Sequence, residues 1–288
     1  MEAAMRWWFL ALVMACSGGD DGKGDDTGLT GGDADTDTDT DTDTDTDADA
    51  DADTDADADA DTDTDTTGPA GNLQGTVVDA SGAAVSANPL KLCRGLACLN
   101  EETDGGGAYA FDQVIADWHS FEVVRQGNHA TVLVPIQVPL DDTRVLDVVV
   151  PELDAATPMP GSPTEVEMGE GLRLTISGGD LEPPLFVDPA TEVAGVRVPM
   201  ADWIPVDGAS EVLDLWYLEP YHHKATNGGL PIRFDNLWGL ADGETYEVWV
   251  ASYDDSAWHV AGSVTVAGDV LEGGVTIDEV APVALVRP

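Results

Sequence analysis

Beyond residue 72 the chain is a succession of short apolar runs, each cut off by Gly, Pro, Asp or Asn. Val, Leu, Tyr and Trp fill the runs, and none sustains the 3.6-residue repeat of a helix. The pattern predicts an all-β fold built as two tandem β-sandwiches. Strands are expected at 73–79, 84–93, 108–114, 120–125, 131–138 and 144–150 in the first half. In the second half they are expected at 171–176, 192–198, 211–218, 232–236, 245–252, 258–266 and 282–286. Asp79-Ala80-Ser81-Gly82, Asp104-Gly105-Gly106-Gly107, Asn227-Gly228-Gly229 and Asp242-Gly243 supply turn chemistry between them. Tyr109 and Phe111 alternate with small or polar neighbours, so both should face one side of their strand. The Pro-rich stretch Thr157-Pro158-Met159-Pro160-Gly161-Ser162-Pro163 is the natural boundary. It divides the body into 72–152 and 153–288.

The first 71 residues follow other rules. Arg6 precedes a short apolar run, Trp7 to Met14, closed by Ala15-Cys16. The run falls short of the ~20 residues that span a bilayer. It fits the apolar core of a secretory signal. Val13-Met14-Ala15-Cys16 resembles the lipobox of bacterial lipoproteins. That resemblance implies a signal peptide over 1–15, cleavage before Cys16, and acylation of Cys16. Several acyl chains together give stable anchoring. Ser17, by the same resemblance, implies the outer membrane, on either its periplasmic or its surface face.

From residue 16 to 71 the chain is mostly Gly, Asp, Thr and Ala, with Asp at every odd position from 33 to 65. Such a segment buries too little apolar surface to offset its ordering entropy and is expected to be disordered. Alternate residues of an extended chain lie about 6.5 Å apart. That is inside the Debye length of about 8 Å at physiological salt, so the carboxylates repel and stretch the tether. Asp61-x-Asp63-x-Asp65 looks like the opening of a calcium loop, but Thr66 stands where such a loop needs Gly and no closing Glu follows. Weak, diffuse divalent cations on the tether are the expectation.

Charge narrows the partners. The chain carries a formal charge of -45, and residues 72–288 hold 34 acids and 9 bases, or -25. No basic patch exists to release counterions from nucleic acid, so no nucleic-acid partner is expected. The same acidity opposes adsorption of the body on an anionic bilayer. Attachment to the membrane is expected through the lipid anchor alone.

Residues 72–152 resemble the carboxypeptidase regulatory-like domain, a transthyretin-type sandwich. The resemblance rests on Gly75-Thr76-Val77-Val78-Asp79-Ala80-Ser81-Gly82, on Thr103-Asp104-x-x-Gly107-x-Tyr109-x-Phe111, and on Phe121-Glu122-Val123-Val124. It implies a non-catalytic spacer or binding module. Leu240-Ala241-Asp242-Gly243-Glu244-Thr245-Tyr246-Glu247-Val248 looks like the pre-strand turn of Ig-like or fibronectin-like sandwiches.

Cys93 and Cys98 remain once Cys16 is acylated, and two nearby cysteines in an exported chain favour a disulfide over zinc, which wants four ligands. His119-x-x-Glu122 has zinc-pair spacing, but positions i and i+3 of a strand face opposite ways. A surface His and a solvent-facing Glu are expected instead. Glu219-Pro220-Tyr221-His222-His223-Lys224 is the one cluster with ligand chemistry, and Lys224 opposes a bound cation there, so an exposed polar loop is expected. No metal site and no cofactor is expected, and no catalytic motif is present.

Trp216, Trp249 and Trp258 lie inside strands and fit core positions. Trp203 and Trp238 lie in turn-like surroundings, where rim packing competes with an exposed platform for a ligand. The expected role is non-enzymatic: binding, adhesion or scaffolding at the cell envelope through the sandwich loops, with an envelope protein or polysaccharide as partner. A carbohydrate-binding module using Trp203, Trp238 and Tyr221 is the alternative. A hydrolase with an unrecognised acidic site is a further one.

Overall fold

Tyr109 and Phe111 both turn inward from the strand Ala108–Ile115, as the alternation requires. In the computed structural model, which describes residues 68–288, they meet Phe121 of the strand Trp118–Val123. Tyr109 stacks on Phe121 with 5.0 Å between ring centroids, and Phe111 meets it edge-on at 6.2 Å. The rings come from two different sheets. One centres on Ala70–Asp79, antiparallel to Ala108–Ile115 and parallel to Thr143–Val145 and Val148–Val150. The other runs Ala97–Glu102, Pro89–Arg94, Trp118–Val123, Val132–Gln137, antiparallel throughout. Packed face to face, the two make a β-sandwich.

Two glycines of the sequence motifs sit where no side chain fits. A Cβ on Gly75 would lie 1.8 Å from the Leu146 carbonyl oxygen. Gly107 combines a φ of 78° with a Cβ position 2.4 Å from the Val77 carbonyl oxygen. These glycines let the first strand lie against its neighbours on both sides.

Three departures from the expected strands have local causes. The stretch 84–93 becomes a strand only at Pro89, because Ala87 takes a φ of 52° and leaves the extended region. The stretch 144–150 breaks into two short strands. Between them Asp147 turns its carboxylate onto the Thr76 backbone N–H at 2.9 Å and hydroxyl at 2.8 Å. Ala97–Glu102 is an edge strand without an alternating signal, since all six of its residues are exposed.

The second set of strands forms one long sheet. Its order is Thr164–Glu167, Leu172–Ile176, Leu230–Asp235, Val270–Glu272, Ala257–Ala267, Thr245–Ser252, Val283–Arg287, Glu211–Glu219, Glu192–Arg197, Thr157–Pro158. The sheet curls over on itself. Trp216 of Glu211–Glu219 packs on Phe234 of Leu230–Asp235 at 5.3 Å, although four strands separate them in the ladder. Thr157–Pro158, from the Pro-rich stretch, pairs with Glu192 and Val193 rather than lying free.

Ladder pairing among the described residues stays within each set of strands, but burial does not. Leu73, Phe121 and Val134 share one buried cluster with Val198, Leu215, Tyr217 and Trp258. Polar bonds cross the same junction. The Ser120 hydroxyl donates to the Tyr253 carbonyl oxygen at 2.6 Å, and the Tyr253 hydroxyl donates to Cys93 Sγ at 2.8 Å.

Burial overturns the expectation of a surface His119 and a solvent-facing Glu122. They are 4% and 5% exposed. They do face opposite ways: His119 Nε2 bonds the Ile115 carbonyl oxygen at 2.8 Å, while Glu122 pairs with Lys91 at 3.4 Å. The second set of strands covers the face that Glu122 occupies. Burial pushes the Glu122 carboxyl up, and Lys91 partly offsets that.

Candidate functional site

Trp203 is placed by a short turn. Met200–Asp202 forms one 3-10 turn after Pro199, and the indole Nε1 donates back to the Val198 carbonyl oxygen at 2.8 Å. Trp238 is placed by the loop after Leu230–Asp235. Its ring stands edge-on to the buried Trp216 at 6.2 Å and 88°. The two indoles, 35 positions apart in the chain, line one cleft of about 350 Å³. Both are half-buried.

Charge in this cleft is arranged around Arg197. Its Nε donates to the buried Asp214 carboxylate at 2.6 Å, and its Nη1 donates to Glu170 at 2.9 Å. Its guanidinium lies 5.9 Å from the centroid of the Trp238 ring. Burial pushes the Asp214 carboxyl up, against the pull of Arg197. The Trp216 Nε1 holds the Glu170 backbone by donating to its carbonyl oxygen at 3.0 Å. Aromatic faces, a clamped guanidinium and an exposed carboxylate thus stand together. That set can stack on the apolar face of a ligand and exchange hydrogen bonds with hydroxyls at its edge.

Tyr221 is elsewhere. Its ring lies edge-on to Tyr253 at 6.5 Å, and its buried hydroxyl has no hydrogen-bond partner in the structure. Burial drives the Tyr221 phenol well above its ordinary value. The expectation of an exposed polar loop over 219–224 is corrected: Glu219 and His223 are buried at the junction, 6% and 4% exposed. Lys224 does remain exposed, paired with Asp254 at 2.5 Å. The Cys93–Cys98 disulfide is formed, joining directly opposed residues of one hairpin. Trp216 and Trp258 are core, while Trp249 is half-buried and donates to Glu247 at 2.8 Å. Cys16 and the acidic segment before residue 68 lie outside the described residues.

A larger cleft, about 480 Å³, is bordered by Lys224, Asp255, His259, Asp278 and Glu279. Burial pushes the Glu279 carboxyl up to about 7. Asp255 pairs with His259 at 3.2 Å. Among the described residues no group of three or more His, Cys, Asp or Glu is placed to hold a metal ion.

Sequence reasoning missed Glu170, Arg197, Asp214 and Glu279 as cleft residues. Asp214 had a legible signal, a carboxylate inside the apolar run Val212-Leu213-Asp214-Leu215-Trp216. A charge in such a run needs a partner, and Arg197 on the neighbouring strand supplies it. Glu170 sits in a Gly-flanked turn that looks like any other acidic turn.

By its strands and layers the chain is an all-β sandwich protein with a two-tryptophan cleft. No family model matches the chain, and no curated relative matches it. Solved structures similar to it include a candidate carbohydrate-binding protein from Bacteroides uniformis, at 12% identity over 76% of this chain and 80% of that one, with a TM-score of 0.26. A DUF3823 family protein from Bacteroides ovatus is 10% identical over 76% of this chain and 81% of that one, with a TM-score of 0.25. Another, from Parabacteroides merdae, is 12% identical over 76% of this chain and 98% of that one, with a TM-score of 0.25. At such scores the likeness carries no argument about ligands.

Proposed function

We propose that this chain is a non-enzymatic, lipid-anchored protein of the bacterial outer membrane that binds carbohydrate in the cleft between Trp203 and Trp238. The anchor is Cys16, the acidic segment is a spacer, and 72–152 and 153–288 are its two sandwich domains. In this reading the first of these is a carboxypeptidase regulatory-like module. One observation supports the binding role above all: Trp203 and Trp238 line the same cleft, beside an arginine clamped by two carboxylates. A pyranose offers an apolar C–H face for an indole and a ring of hydroxyls for charged donors and acceptors. The cleft is matched to both.

The test is a glycan array probed with the whole chain in detergent. Saturable binding that falls at least tenfold in Trp203→Ala and in Trp238→Ala supports the reading. A chain that binds no glycan ends it. Incorporation of labelled palmitate, abolished in Cys16→Ala, tests the anchor separately.

The Glu279 cleft supports a second reading, hydrolysis. A carboxyl held near 7 is protonated enough to act as a general acid beside the carboxylates of Asp255 and Asp278. Release of reducing ends from an array glycan, abolished in Glu279→Gln, would establish it. Binding without turnover keeps the first reading.

A further inference from the structure

We infer that the Trp203–Trp238 cleft selects neutral or amine-bearing sugars and rejects uronate and sulfated ones. The inference rests on the carbohydrate reading and adds the substrate class.

Arg197 is the one cationic side chain among the residues that line the cleft, and it is already engaged. Its Nε is held by Asp214 and its Nη1 by Glu170. Two carboxylates against one guanidinium leave an excess of one negative charge. Asp214 is almost wholly buried, so it cannot swing aside to release the arginine. Glu170 is 69% exposed at its side chain and stands at the mouth. Its free lone pairs accept from a hydroxyl or an ammonium group. An incoming carboxylate or sulfate meets that charge first. The Arg197 N–H groups left over lie beside both carboxylates, so an anion that reaches them still meets the net negative charge.

The surroundings act in the same direction. The body carries 34 acids against 9 bases, so the background field repels anions. Salt screens over about 8 Å, longer than the distances inside a cleft this small, so screening removes only part of the repulsion. An ammonium group gains twice, from Glu170 and from the face of an indole.

The experiment titrates the whole chain in detergent with three oligosaccharide sets of matched length. These are neutral xylo- and gluco-oligosaccharides, chitosan oligosaccharides, and oligogalacturonates, each at low and at high salt. The expected result is uronate binding at least tenfold weaker than the best neutral or amine-bearing ligand, with the gap narrowing at high salt. Glu170→Gln should narrow it further, because the mouth loses its charge while the acceptor for Arg197 is kept. Oligogalacturonate binding as tight as the others, and lost in Trp203→Ala, overturns the charge selection and leaves the carbohydrate reading standing. A gap untouched by Glu170→Gln also overturns it, since the selection would then arise outside this cleft. Failure of all three sets to bind removes the carbohydrate reading and the inference with it.

Discussion

The backbone N–H of Thr131 donates to the buried carboxylate of Glu219 at 2.9 Å, across 88 positions of chain. The other carboxylate oxygen accepts from the Tyr221 N–H at 2.8 Å. One side chain therefore satisfies two backbone donors, one from each set of strands. Glu219→Ala leaves both donors unpaired in a buried place. Each unmet donor costs about 1–3 kcal/mol, so the variant should lose about 3 kcal/mol. Glu219→Gln keeps one acceptor oxygen and should lose less. Urea unfolding of the two variants at pH 7 checks the order.

The Cys93–Cys98 bond closes a short ring against the junction. On the chain-entropy model it is worth about 2 kcal/mol. Reduction, or Cys93→Ser with Cys98→Ser, should lower the melting temperature accordingly. Because Tyr253 donates to Cys93, the loss should also raise hydrogen exchange in the Tyr253 turn. Equal exchange in oxidised and reduced protein would contradict that link.

Glu279 gives stability a distinctive pH dependence. Its carboxyl is raised from 4.5 to about 7 by burial, so the folded chain holds the proton more tightly than the unfolded one. Its contribution is complete below pH 4.5 and is lost as pH rises through 7. At about 1.4 kcal/mol per pH unit, the loss across that window is about 3 kcal/mol. Glu279→Gln should flatten the fall between pH 5 and pH 8 by that order, as read from denaturant midpoints at each pH. Glu122 and Asp214, raised in the same direction, supply the slope that remains.

Tyr221→Phe should be neutral or stabilising by about 1 kcal/mol, because the hydroxyl it removes is buried without a partner. It should leave glycan affinity unchanged, since Tyr221 does not line the two-tryptophan cleft. A loss of affinity in this variant would move the binding site to the junction.

Much of the fold is legible in the residues. Strand 245–252 is found at its expected limits, Thr245–Ser252, because an alternation of apolar and polar residues leaves little freedom in register. The inward pairing of Tyr109 and Phe111 follows from the same period of two. The edge strand Ala97–Glu102 was not legible, because nothing on it is buried and no periodicity marks it. His119 and Glu122 misled for the opposite reason. Their strand is covered on both faces: His119 turns to the interior of its own sandwich, while the face of Ser120 and Glu122 is covered by distant residues such as Tyr253.

The sequence by itself determined the periodic elements, the turns, the cysteine pair and the acidic balance, all of which depend on neighbours along the chain. It also marked Trp203 and Trp238 as lying outside regular strands. Only the tertiary structure decided that these two share a cleft, that Arg197 is clamped by Glu170 and Asp214, and that Glu219 is interior. The reason is physical: side-chain period is a local property of the backbone, while burial and charge pairing depend on which distant strand the sheet brings alongside.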